Sequence, residues 1–354
     1  MLLTIEAVKT IIKAFMKPGK NQGMVFRISL IAAITFAFSL FGALAHGETA
    51  LQNASFVPQW SPQAQFAGYY VAYEKGMYQQ RGINLNILNG GPNIVPLDML
   101  RDRKADFGTA WLSTAVQKRS QGLKVVNIGQ IVQRSALMLV AKKEKGITKP
   151  EDLNGKRIGL WRDEFRLQPD AFFKKYHLNV TIIPQSNSVN LFLRDGVDVA
   201  SAMWYNEYHT LLSAGINSDE LTSFFFHEHG LNFPEDGVYA LEETFVENPG
   251  LSCGFAAASI EGWLYAFKHP EEALDIILKY MRAANVPANR VHQVWMLNRM
   301  KDLILPEGAK ESSIGTLNKE DYLGVAGELL RTKSIQTMPD FNLFHKMCVK
   351  HAQK

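Results

Sequence analysis

Cysteine is scarce in this chain. Of 354 residues only Cys253 and Cys348 carry thiols, and their separation fits no zinc or haem motif. Two packed, unpaired thiols are the simpler reading, and a single disulfide is the alternative. A surplus of one charge is also missing. The 38 basic residues stand against 34 acidic ones, and the excess of +4 is too small for a nucleic-acid footprint. Low-complexity tracts and internal repeats are absent. The run His227-Glu228-His229 lacks the HExxH spacing of helical zinc sites. On a strand its two imidazoles would share a face, a place for an adventitious metal at most, so no metal or cofactor is expected. What is plentiful is apolar material, 47% of the chain. That is enough for two lobes of about 100 to 200 residues, each with its own core.

Residues 1–45 are expected to be a leader rather than part of the fold. Lys9, Lys13, Lys17, Lys20 and Arg27 precede a nearly all-apolar run over 28–44, and Ala43-Leu44-Ala45 closes it in a small-x-small pattern. Positive region, apolar core and cleavage site describe a secretory signal. The run is shorter than the roughly 20 residues that span a bilayer, which favours cleavage near Ala45 over an uncleaved anchor. Met24 is an alternative start to Met1. The mature protein then begins near His46 in an exported, periplasmic compartment.

The stretch 59–107 organises the rest of the chain. An aromatic-rich apolar segment, 66–78, ends around Lys75-Gly76. Over 83–88, Ile83, Leu85 and Ile87 alternate with Asn84 and Asn86, the period of a half-buried strand. Gly90-Gly91-Pro92 then leads into an amphipathic helix over 94–103, and a glycine turn entering a helix offers free backbone N–H groups to a ligand. A strand over 107–111, a helix over 115–121 capped by Ser113 or Thr114, and strands over 125–131 and 136–141 complete one α/β lobe with a mostly parallel sheet. After Lys142-Lys143 the alternation repeats. Strands are expected over 157–161, 180–184, 199–203 and 221–227, with helices over 168–176, 189–195 and 209–214. A crossing strand over 238–245 returns the chain, and helices over 256–269, 270–281, 289–305 and 319–332 end it. Lobe one is therefore 51–141 with 239–354, and lobe two is 142–238. A cleft between two such lobes, at the carboxyl ends of the strands, is where ligands bind.

The run Gln65-Phe66-Ala67-Gly68-Tyr69-Tyr70-Val71-Ala72, followed by Lys75-Gly76 and Gly82, resembles the opening of periplasmic solute-binding proteins. The nearest resemblance is to those that bind thiamine-pyrimidine precursors, a group that includes the fungal-type pyrimidine synthase. It continues through Ala105-Asp106-Phe107-Gly108, Leu153-Asn154-Gly155-Lys156-Arg157-Ile158-Gly159 and Tyr205-Asn206-Glu207-Tyr208, and covers roughly everything after residue 50. It implies a two-lobed α/β fold of the type II, venus-flytrap kind, with the helical tail packed on lobe one. It also implies a small heteroaromatic ligand and docking on the permease of an ABC importer. Family members often carry histidine where Gln65 stands; glutamine keeps a hydrogen-bonding side chain but no proton-transfer or metal role. The synthase of the family uses a CCCFC segment with iron and a sacrificed histidine. This chain has no such segment, so the resemblance implies a binding protein and not an enzyme.

Candidate ligand contacts follow from strand ends and from the resemblance. Glu207 comes after the apolar strand 199–203 among Trp204, Tyr205 and Tyr208. A carboxylate among aromatic rings suits an aminopyrimidine, whose exocyclic amine donates while a ring stacks above; the alternative is an acid favoured by a helix N-terminus. Trp111 and Trp161 each end a strand, one per lobe, and are expected to sandwich a flat ring, with core packing as the alternative. Trp60, also at a strand end, is either a cleft contact or part of a turn. Gln65, Phe66 and Tyr69 open the first helix. Gly90 and Gly91 offer amides or simply make a turn, and Asn187 opens a helix in lobe two or caps it. Asp236, before Gly237, is a hinge or a ligand acceptor. His292, Gln293 and Trp295 resemble a family stretch that helix packing also explains. Riboflavin is the second expected ligand. Alkyl sulfonate or nitrate is a weaker third, because an anion wants convergent cations and only Arg134, Arg162 and Arg166 offer themselves. A sensor subunit of the same fold is a further alternative to import.

Overall fold

The computed structural model describes residues 51–348. The signal segment expected over 1–45 lies outside them. Ten strands follow in chain order: β1 (Gln52–Val57), β2 (Ile83–Ile87), β3 (Phe107–Trp111), β4 (Val125–Gln130), β5 (Leu137–Lys142), β6 (Arg157–Leu160), β7 (Thr181–Pro184), β8 (Val199–Met203), β9 (Leu221–Phe225) and β10 (Asp236–Leu241). They form two five-stranded sheets, ordered β2-β1-β3-β10-β4 and β7-β6-β8-β5-β9. The alternation read over 83–88 holds: Ile83 and Leu85 are buried while Asn84 and Asn86 are exposed.

Both sheets are mixed, which corrects the expectation of mostly parallel pairing. β1 lies parallel to β2 and β3, and β6 parallel to β7 and β8. In each sheet one strand runs against its neighbours, β10 in the first and β5 in the second. Each is the strand that has just arrived from the other lobe, so the two sheets repeat one topology. The strand Leu137–Lys142 belongs to the second sheet, not to lobe one as the sequence pattern suggests. Leu137, Met138, Leu139, Val140 and Ala141 are all fully buried. A strand buried on both faces has no alternation to show which sheet it joins. The chain crosses between sheets twice, over 131–136 and 226–235, so the first crossing precedes the boundary expected at 141.

The tail helices cover the first sheet. The helix Pro249–Lys268 stacks Phe255 on Phe107 at 4.4 Å and on Tyr78 at 5.2 Å. It crosses the helix Ala67–Glu74 at backbone contact, because a Cβ on Gly262 would fall on the Gly68 carbonyl. The same helix carries Cys253, which is bonded to Cys348 across 95 residues. The reading of two unpaired thiols is thereby overturned: sequence separation alone said nothing of their approach in space.

Candidate functional site

The carboxyl end of β1 meets the start of β10 at a buried carboxyl group. Gln59, just past β1, donates its Nε2–H to Asp236 Oδ1, and Gln65 donates to Asp236 Oδ2 at 2.9 Å. Gln63 in turn donates to Gln65 Oε1 at 2.7 Å. Asp236 faces Trp111 in the β3–β10 register. It is 2% exposed, and burial pushes its pKa up to about 7 despite the two amide donors. Its neighbour Glu235, 1% exposed, is pushed up to about 8 by burial and by the Asp236 charge. Two adjacent acids with raised pKa values therefore sit where the second crossing enters β10.

Aromatic side chains surround them. The Tyr69 and Tyr205 hydroxyls are held neutral by burial first and by nearby acids second, Asp236 for Tyr69 and Glu235, Asp236 and Glu207 for Tyr205. Trp111 from the first sheet and Trp161 from the second both meet Phe165 edge-on, at 4.9 and 5.4 Å between ring centroids. Trp161 is further fixed by donating Nε1–H to the Ser186 carbonyl at 3.0 Å. Both tryptophans thus reach one cluster between the sheets.

Other expected residues play different parts. Glu207 is the first residue of the helix Glu207–Ser213. It accepts from the Met203 amide at 3.0 Å and from Asn206 Nδ2 at 2.8 Å. Its carboxyl is hydrogen-bonded within its own turn, whereas Asp236 is met by two glutamine amides from distant segments. Phe66 is fully buried in the core beside Tyr69. The helix after Gly90-Gly91 starts only at Pro96, so those amides do not lie at a helix N-terminus. A Cβ on Gly90 would fall on the carbonyls of Pro58 and Trp60, so this glycine lets the turn press on the loop that carries Gln59. Trp60 is half-buried against the core. Asn187 is exposed, and the helix beyond it, Asn190–Leu193, has only four residues. Ser113 and Thr114 lie inside the helix Leu112–Ser120 rather than capping it. His227 and His229 fall in a 3-10 turn, Phe226–His229, not on a strand. His229 shares a 2.6 Å hydrogen bond with Tyr176. Among the described residues no group of His, Cys, Asp and Glu side chains could hold a metal ion.

Sequence reasoning misses Gln59, Glu235 and Phe165. Gln59 carries a signal, as the first residue of the organising stretch 59–107, and so does Glu235, as the neighbour of Asp236. Phe165 carries none.

The acid pair has a measurable consequence. In the unfolded chain both acids release their protons near their ordinary values of about 4; in the folded chain they keep them to about 7 and about 8. The folded state therefore binds more protons through this window, and stability falls as pH rises. Between about pH 6.5 and about pH 9 we expect a loss on the order of 2 kcal/mol in urea unfolding. Asp236→Asn should reduce that slope, and equal slopes in variant and wild type would count against the assignment. At lower pH His345, which burial depresses to about 4, contributes in the opposite sense.

The family model described as NMT1/THI5 like matches residues 63–273. The chain is similar to a riboflavin-binding protein, RibY, of Chloroflexus aurantiacus, at 25% identity over 68% of this chain and 70% of that one. It is similar to a formylaminopyrimidine-binding protein of Halalkalibacterium halodurans at 23% identity, over 73% and 80%. Its fold is similar to the periplasmic aliphatic sulphonate binding protein SsuA of Escherichia coli, with a TM-score of 0.65 at 14% identity, over 82% of this chain and 91% of that one.

Proposed function

We propose that this chain, which belongs to the NMT1/THI5-like family, is the extracytoplasmic substrate-binding protein of an importer, with an aminopyrimidine of the thiamine-precursor class as its ligand. The observation that carries the reading is the Asp236 carboxyl, buried between Gln59 and Gln65 and facing Trp111. A neutral acid donates and accepts side by side, which matches the ring nitrogen and exocyclic amine of an aminopyrimidine; the ionised form pairs with a protonated ring. Trp111, Phe165 and Trp161 supply flat apolar surface from both lobes, and closure of the lobes on ligand is the coupling between occupancy and docking on a permease. Residues 1–45 serve in this reading as a cleaved export signal. The similarity to a formylaminopyrimidine-binding protein supports the same ligand class. An anion such as a sulfonate fits poorly beside two buried acids: Arg134 and Arg162 are exposed, and Arg166 is paired with Asp170 at 2.7 Å.

Riboflavin is the second reading, favoured by the similarity to RibY. A synthase reading is disfavoured because both cysteines are bonded to each other. Thermal shift of the mature chain against an aminopyrimidine, riboflavin, an alkyl sulfonate and nitrate separates these. A ligand at a hundred times its Kd should stabilise by about 2.7 kcal/mol. We expect the aminopyrimidine alone to do so, and Asp236→Asn to weaken it more than about tenfold by calorimetry, or 1.4 kcal/mol. A shift with riboflavin only changes the cargo. A shift with sulfonate only would refute the acid-centred site.

A further inference from the structure

The helix Arg290–Ile304 touches both lobes with opposite faces. Toward the first sheet, Gln293 Oε1 accepts from the Ala64 amide at 2.7 Å and Met296 Sδ from the Gln65 amide at 3.3 Å. Toward the second, Trp295 donates Nε1–H to the Trp204 carbonyl at 2.9 Å and lies 5.1 Å from His209 in a stacked pair. Arg299 covers the Trp204 and Trp295 rings at 4.6 and 4.9 Å and pairs with Asp302 at 3.1 Å. At the start of this face His292 Nδ1 stands 2.8 Å from His209 Nδ1, and His292 Nε2 stands 2.8 Å from Asn206 Oδ1.

The tautomers can be read outward from Glu207. Burial raises the Glu207 pKa, but both of its oxygens accept, Oε2 from the Met203 amide and Oε1 from the Asn206 NH2 at 2.8 Å, so Asn206 turns its oxygen to His292. His292 Nε2 must therefore be the donor. In the neutral ring Nδ1 then keeps its lone pair, and His209 Nδ1–H donates to it. Glu207 thereby acquires a second role, since through Asn206 it sets the tautomer of a histidine from the other lobe.

We propose that His209 and His292, with Asn206 and Glu207 as positioning residues, form a proton-sensitive latch between the lobes, closed while the pair is neutral and released in acid. One added proton leaves a charge in a half-buried contact. A second leaves two N–H bonds pointing at each other. Of the charged groups nearby, Glu207 faces Asn206 rather than the rings, and Arg299, further along the helix of His292, lies over Trp204 and Trp295 and pairs with Asp302. Burial lowers the pKa of both histidines, and His209 lowers that of His292 further. A base depressed in the closed form is protonated more readily in the open one. Closure is therefore favoured above the ordinary histidine value of about 6.5 and weakens as pH falls below it. The hinge acids, near 7 and 8, have largely taken up their protons before that window.

The latch rests on the two-lobed reading of closure, but its test needs no ligand, so a wrong ligand class leaves it standing. Small-angle scattering of the mature chain is compared at about pH 7 and about pH 5, for wild type, His292→Gln and His209→Gln. Wild type should show a larger radius of gyration in acid, and both variants should lose that pH dependence. Nitrogen NMR of the histidine side chains should find His292 in the Nε2–H form at neutral pH. A wild-type radius that does not change with pH, variants that expand in acid as wild type does, or His292 protonated on Nδ1 alone would each overturn the proposal. Circular dichroism confirms that the variants are folded, and the NMR result on wild type stands without them.

Discussion

Reducing the Cys253–Cys348 bond should destabilise the folded chain by about 4–5 kcal/mol and lower its melting temperature by about 10 °C. The bond closes a loop with a sequence separation of 95, and a cross-link of that span removes much of the freedom of the unfolded chain. Its position adds to the effect. Cys253 lies on the long helix that stacks Phe255 on Phe107, while Cys348 is buried three residues after His345. His345 bonds Asn127 Oδ1 through Nδ1 at 3.0 Å, and Lys346 donates its amide to the Asn127 carbonyl at 2.8 Å. The bond thus holds the last described residues on β4. Calorimetry with and without a phosphine reductant, and of a Cys253→Ser, Cys348→Ser double variant, measures this. Superimposable melts would mean that the tail holds itself in place and that the bond adds nothing. A bond worth this much also suits an exported protein, since it forms and persists only in an oxidising compartment.

The parts of this molecule legible in its sequence are those where a local pattern and the final environment agree. Asn84 and Asn86 face water between Ile83 and Leu85, so period two marks β2. Trp111 ends β3 and Trp161 follows β6, so strand ends mark the two tryptophans that meet Phe165 between the sheets. Reading fails where the deciding contact is distant. The run Leu137–Lys142 is apolar at every position up to its last, and only pairing with β8 and β9 assigns it. The helix that begins at Pro249 is expected from sequence only at residue 256, because Gly250 and Gly254 weaken its helical signal. The start signal is present in Asn248, whose Oδ1 accepts from the Leu251 amide at 2.9 Å, followed by proline. Glu207 and Asp236 show the limit most clearly. Both are acids at strand termini. Both have two partnered oxygens; what separates them is that the partners of Glu207, Met203 and Asn206, are local, whereas Asp236 is met by glutamines from 171 and 177 residues away.

Glu235→Ala should cost about 2–3 kcal/mol, well above the cost of Glu235→Gln. The reason is the first crossing. Glu235 Oε1 accepts from the Ala136 amide at 2.5 Å and the Leu137 amide at 3.1 Å, and lies 3.2 Å from the Ser135 hydroxyl. Ala136 and Leu137 are fully buried. Removing the acceptor leaves the buried Ala136 amide unpaired, at about 1–3 kcal/mol, and leaves the Leu137 amide with Ser135 Oγ at 3.2 Å alone. All the donors converge on one oxygen, which leaves Oε2 to carry the proton that burial holds to about pH 8. Glutamine supplies the same carbonyl oxygen and no charge, so it should cost little near neutrality and become relatively more stable than wild type as pH rises. The Ser135 hydroxyl reaches on to Gln168 Oε1 at 2.9 Å, and Gln168 donates to the Leu231 carbonyl at 2.6 Å. One acid therefore ties the two crossings to each other and to a helix of the second lobe. Urea unfolding of the three proteins at about pH 7 decides the matter: if alanine and glutamine share one midpoint, the crossings are held by packing and not by this carboxyl. If they differ as expected, Glu235 is committed to joining the crossings, and a ligand role in the proposed site is left to Asp236, whose partners are the Gln59 and Gln65 amides.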